Sequence, residues 1–214
     1  MFARVGLQRL FPAFPVVESV TVTAYTGTPA SFAVNMPSTR PDNDLYICVV
    51  SSEQTTPNEF GSVDAGWTQL ETTYNSIYQY DPMQTAYWWV GSSEPATYTV
   101  NLSSHSAGHG IIYRISGQHG SPIDASAAST VSSNGTFDSE SVTTTVTPTL
   151  VLTVSIAEQE ITAVPFIEDT KGGASPYYGA SHSNVRAIGA TPVGESITAS
   201  STSASTMTIA IKGP

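Results

Sequence analysis

Histidines and closely spaced carboxylates are the residues of this chain best suited to chemistry. His105 and His109 stand four apart, with His119 and His182 elsewhere. On an extended strand, positions i and i+4 share a face, so the first pair is geometrically able to hold a metal ion. Gly108 and Gly110 flank His109, however, and predict a turn that leaves the two rings without a fixed relation. No Cys or carboxylate sits at a ligand-like spacing, so neither a metal nor another cofactor is expected. Glycoside hydrolysis needs two carboxylates facing each other across a sugar. Glu158 and Glu160 share a face if extended, and Glu168 and Asp169 are adjacent in an expected loop; an acidic edge that blocks unwanted strand pairing is the simpler account. Serine is abundant, but no Gly-x-Ser-x-Gly elbow occurs. Cys48 is the single cysteine, lies in the apolar run 45–50, and reads as a small buried thiol. No catalytic residue is assigned, and the chain is not expected to be an enzyme.

Binding features are better represented. Tyr87 and Trp89 should point one way from a strand and Trp88 the other. Trp67 and Trp89 suit a sandwich core. Trp88, together with Tyr177 and Tyr178 in an expected Gly/Pro loop, is a candidate for contact with a partner or a glycan. Residues 1–16 differ from everything after them. Phe2, Leu10, Phe11 and Phe14 are apolar, Arg4 and Arg9 are basic, and the first carboxylate is Glu18. Residues 3–10 can form a short helix at most, because Pro12 and Pro15 keep the remainder extended. Such an arm either packs on its own domain or docks on a neighbouring subunit.

The elements that must position these residues read as strands. Val20–Ala24 alternates and is followed by the turn residues Gly27-Thr28-Pro29. Further strands are expected around 32–34 and 45–50, in an aromatic hairpin with Ile77, Tyr78 and Tyr80 before a turn at Asp81-Pro82 and Tyr87, Trp88 and Trp89 after it, and around 96–102, 110–115, 142–156, 161–167, 196–199 and 207–211. In the last of these, Met207, Ile209 and Ile211 share a face. Residues 52–66, 118–141 and 171–179 read as loops. No segment after residue 16 keeps a helical period, and many short strands argue for an antiparallel β-sandwich, jelly-roll-like, over 17–214 with a short arm at 1–16.

Composition agrees with that class. A chain of 214 residues can bury roughly 70% of its unfolded surface, so its core needs no disulfide or metal staple. Charged residues are 11% and hydrophobic ones 40%, which is too apolar for a disordered chain. The net charge of −10, with only seven Lys and Arg, argues against nucleic acid as a partner. No apolar run is long enough for a membrane span, and the first residues lack the continuous apolar region of a secretory signal.

The order of signals resembles a β-sandwich module common in bacteriophage virion proteins. The matching pieces are NDLYICVVSS (43–52), GWTQL (66–70), TAYWWVG (85–91), ATYTVNLS (96–103), GIIYRISG (110–117) followed by PID (122–124), and PTLVLTVSI (148–156). Proteins of this kind occur in tail fibres and as head decorations, so the resemblance implies a virion structural role. A short chain without heptads or shaft-like repeats favours the head. The expected function is then capsid decoration: a cement protein made in the host cytoplasm, a homo-oligomer whose partners are the major capsid protein and copies of itself. Phe2, Arg4, Arg9, Leu10, Phe11 and Phe14 would dock on the capsid or an adjacent subunit. The alternative is a tail fibre or tail-tip module that binds a host surface glycan through Trp88, Tyr177 and Tyr178.

Overall fold

The computed structural model describes residues 13–27, 30–54, 66–74, 81–91, 95–101, 105–131, 135–173, 177–186, 188–190, 197–199 and 203–214. Side chains 53–54, 74, 81–87, 105–106, 131, 190 and 199 are outside that description. All regular elements among these residues are strands, and every pairing is antiparallel.

The first half of the chain supplies β1 (Val16–Thr26), β2 (Ser31–Asn35), β3 (Leu45–Gln54), β4 (Thr68–Tyr74), β5 (Asp81–Val90), β6 (Thr97–Asn101) and β7 (His105–Ser116). The second half supplies β8 (Ile123–Val131), β9 (Gly135–Phe137), β10 (Thr143–Thr144), β11 (Thr149–Ala157), β12 (Ile161–Ala163), β13 (Ile167–Gly173), β14 (Tyr177–Val185), β15 (Gly189–Ala190), β16 (Ile197–Ala199) and β17 (Ala204–Lys212). A five-stranded sheet in the order β1-β7-β3-β5-β4 packs on a second in the order β13-β14-β11-β17-β8. Strands therefore do not alternate between the two sheets along the chain. The fold is an all-β antiparallel sandwich.

Alternation along the strands explains which side chains meet between the sheets. Leu45, Ile47 and Val49 of β3 and Ile111, Tyr113 and Ile115 of β7 face Leu150, Leu152 and Val154 of β11 and Met207, Ile209 and Ile211 of β17. The face expected for Met207, Ile209 and Ile211 is this one. Each such aliphatic side chain contributes about 1.5–3 kcal/mol when fully buried. The continuous apolar run in β3 has a second cause. Its other face carries Tyr46, Cys48 and Val50, which are covered by Phe32 and Val34 of β2 and Tyr98 and Val100 of β6. A strand buried on both faces loses its polar alternation. Cys48 is buried as expected, and burial pushes its thiol up to about 12.

The outer face of the second sheet is covered too. Phe137, Ile161 and Ile197, from β9, β12 and β16, close over Ala157 and Ala204, and Val142 closes over Val151 and Ala210. Between these patches lies a floor of small hydroxylated residues. Ser181, Thr153 and Thr208 stand abreast on three adjacent strands, each with a buried hydroxyl that has no hydrogen-bond partner among the described residues.

Three expected loops are strands. Gly108 and Gly110 do not turn the chain, since β7 runs unbroken from His105 to Ser116. Both are small because neighbours press on them: a Cβ at Gly110 would sit 2.7 Å from Val34 Cγ1 of β2, and one at Gly108 would collide with the Ser51 carbonyl of β3 and the Tyr25 ring of β1. Within 118–141, β8 forms the sheet edge, and its Ser/Ala pattern reflects close packing under the outer layer, where Ala125 and Ala127 meet Val142. Within 171–179, β13 and β14 pair from Ile167↔His182 to Gly173↔Tyr177. The Gly179 Cα lies so close to Val164 that a Cβ there would be 2.5 Å from its Cγ1.

Candidate functional site

The N-terminal arm enters the sandwich at a fixed root. Phe2, Arg4, Arg9, Leu10 and Phe11 lie outside the described residues, but Phe14 is placed. Its half-buried ring lies under the guanidinium of Arg186, with Cζ 4.2 Å from the ring centroid. Phe14 therefore packs on its own chain, a cation–π contact worth about 0.5–1 kcal/mol at an exposed site. Pro15 is buried next to it, and β1 begins at Val16, opposite Ser116.

Charged groups hold the start of β1. The Ser116 hydroxyl donates to Glu18 at 2.6 Å, and Arg114 reaches Glu18 at 3.5 Å and Asp44 at 3.0 Å. Burial raises the Asp44 carboxyl above its ordinary range, and Arg114 opposes that shift. Beside this anchored root, Val16 and Ile188 are exposed at 50% and 65%, each two residues from the Phe14–Arg186 contact.

The aromatic candidates are placed differently. Trp67, Trp89 and Tyr98 form a cluster with ring centroids 4.9, 5.5 and 6.1 Å apart, and it packs on the core beneath the β2–β6 layer. Trp88 points the opposite way, as alternation requires, and is half-buried against the inter-sheet core. Tyr178 packs on that same core with its ring 4.7 Å from the ring of His109. Tyr177 is half-buried in β14, opposite Ala157 and Gly173. Trp88 and Tyr178 thus spend ring surface on the interior, and the three residues do not share one loop.

A polar column joins the two sheets. The Tyr113 hydroxyl donates to Asp169 Oδ2 at 2.8 Å, and His182 Nδ1 meets Asp169 Oδ1 at 2.6 Å. Burial and the Asp169 charge hold the Tyr113 phenol well above 10. Asp169 lies in β13, where a loop was expected, and faces inward, while Glu168 pairs with Lys171 at 3.0 Å. Glu158 and Glu160 fall in the turn between β11 and β12. No group of three His, Cys, Asp or Glu placed to hold a metal occurs among the described residues. The Tyr113–Asp169–His182 chain and the Phe14–Arg186 contact carry no short-range signal, since their members are far apart in sequence. Compared with known proteins, the chain matches no family model, no curated protein and no solved structure.

Proposed function

We propose that this chain is a non-enzymatic bacteriophage structural protein, a decoration protein that binds the exterior of the capsid and reinforces it. The observation that carries the reading is the arm root. Phe14 is clamped under Arg186, and an apolar, basic segment precedes it on a rigid all-β body. A docking segment is most effective when its base is fixed, because less orientational freedom is lost on binding. The order of strand motifs supports a virion role, and the partners are then the major capsid protein and further copies of this chain. Many copies on one lattice add modest contacts into firm attachment.

Removing residues 1–12 while keeping the Phe14 anchor tests the reading. The truncated chain should keep its circular dichroism spectrum and lose co-sedimentation with particles by at least about tenfold, the loss of a contact worth roughly 1.4 kcal/mol. Undiminished binding to heads would remove the arm from the mechanism, and gold label confined to tail tips would replace decoration by receptor binding. The tail reading has less support, because Trp88 and Tyr178 are engaged by the inter-sheet core.

A further inference from the structure

We propose that the outer edge of β1 is a dimer interface: it pairs antiparallel with β1 of a second copy of this chain, about a two-fold axis at Val22, and joins the first sheets of the two copies into one. The two large sheets have four edges, β1, β4, β13 and β8. An edge strand offers a row of unpaired N–H and C=O groups, and proteins blunt it with charges, bulges or a covering element. β4 and β8 meet at one side of the sandwich, where the Ser126 hydroxyl donates to Glu71 at 2.7 Å and Thr73 hydrogen-bonds Ser205 of β17. β13 carries Glu168, Asp169 and Lys171, is broken by a bulge between Glu168 and Thr170, and ends in Gly172-Gly173.

β1 has no such guard beyond its own bulge at Val17/Ser19. From Ser19 to Thr26 its register with β7 is unbroken, Ser19↔Arg114 to Thr26↔Ala107, and the stretch holds no charge, proline or glycine. Val, Thr and Tyr dominate it, residues that favour extended chain. Among the described residues no strand lies on its far side, and Ser19 to Thr23 are only half-buried. An uncharged, regular edge of this length is a template on which a further strand adds.

Charge and alternation select the occupant. A chain of net charge −10 repels its own copies over most of its surface, and along this edge the charge is absent. A basic or acidic partner strand would find no counter-charge in Ser19–Thr26. Glu18, the one ionised group of β1, lies outside that stretch and is held by Ser116 and Arg114. Around Val22, the middle of 19–25, the strand is complementary to itself: Val22 falls opposite Val22 of the second copy, Val20 opposite Ala24, and Thr21 opposite Thr23. Opposite residues of an antiparallel pair share a face. Val20 and Val22, which pack on the inter-sheet core, then continue that core into the second copy, and the threonines pair on the outer face. A slip of one residue would set Val against Thr and turn one core outward. The pairing closes after two chains, as an isologous interface must, and it stands apart from the capsid reading.

Sedimentation equilibrium of the full chain is the test. The mass should rise with concentration from 22.5 kDa to twice that value, with a Kd in the micromolar range, because a single strand pair is a small interface. Thr21→Lys sets two ammoniums diagonally across the axis, about 8 Å apart, and should weaken the dimer at least about tenfold. Thr21→Val, of similar size and uncharged, should keep the affinity within about twofold. A nitroxide on Thr26→Cys, an exposed position, should find its twin at about 27 Å, the reach of eight strand residues plus one strand spacing. Cys48 is buried and stays unlabelled. Removing residues 1–12, the variant that tests capsid binding, should leave the dimer intact, so the two readings fail separately. Unchanged far-UV circular dichroism verifies the fold of each variant. A mass that stays at one chain, a dimer indifferent to Thr21→Lys, a label distance far from the expected one, or a dimer lost with residues 1–12 would each overturn the proposal.

Discussion

His109 faces the inter-sheet core with 5% of its surface exposed, and burial pushes its pKa down from 6.5 to about 4. An imidazole that resists protonation in the fold but accepts it in the unfolded chain couples stability to pH. Its contribution is complete above pH 6.5 and is lost as pH falls from there toward about 4, because the unfolded state takes up the proton first. The loss across that window is about 2–3 kcal/mol. His109→Phe keeps a ring against Tyr178 and puts carbon where the buried Nδ1 has no hydrogen-bond partner. Urea midpoints should therefore fall less between neutral pH and the acid end of the window in this variant than in the parent. A parallel decline would acquit His109. Asp169 works by connection. Asp169→Asn removes the charge that holds both His182 and the buried Tyr113 hydroxyl, at an expected cost of about 1–3 kcal/mol. Tyr113→Phe should cost less alone, and less again in the Asp169→Asn background; additive losses in a double-mutant cycle would show that the hydrogen bond is not shared. Neither effect was legible in the sequence, where each of these residues reads only against its immediate neighbours.

At the scale of elements, strands rich in large apolar residues were legible, and strands made of small residues were not. β3 announces itself through an unbroken apolar run, β11 through Leu150, Leu152, Val154 and Ile156, and β17 through Met207, Ile209 and Ile211 at every second position. β8 and the start of β7 are written in Ser, Ala and Gly, which turns also favour. What distinguishes them is a layer pressing on one face, and that layer is remote in sequence. Gly110 makes the point testable. Gly110→Val would drive side-chain carbons into Val34 and Phe32, and the β2–β6 layer has to lift. The expected destabilisation is about 1–3 kcal/mol, the usual cost of overpacking. Gly120, where an added Cβ meets nothing within 4 Å, provides the control: Gly120→Ala should leave the thermal midpoint nearly unchanged. Equal midpoints for both variants would mean that the β2–β6 layer yields to the added side chain and does not dictate glycine at 110.

For the whole molecule, the decisive feature is that each large sheet is drawn from one half of the chain. The sandwich class was legible from strand count and spacing, but the pairing of halves was not, because antiparallel partners such as β1 and β7 lie far apart in sequence. A sheet built separately would expose Leu45, Ile47, Val49, Ile111 and Ile115 on one side, or Leu150, Leu152, Ile209 and Ile211 on the other. Each of these side chains leaves about 1.5–3 kcal/mol unrealised in water, so neither sheet is expected to persist without its partner. The tryptophans provide a selective probe. Trp67, Trp88 and Trp89 all belong to the first half, Trp67 and Trp89 under the β2–β6 layer and Trp88 against the inter-sheet core, so their fluorescence follows the first sheet and its contact with the second, whereas far-UV circular dichroism reports both sheets. The two signals should follow one coincident transition in urea, with one midpoint and one slope. Fluorescence lost at lower urea than ellipticity would mean that the second sheet survives the first, and the inter-sheet core would then be a contact between two units rather than the condition for either.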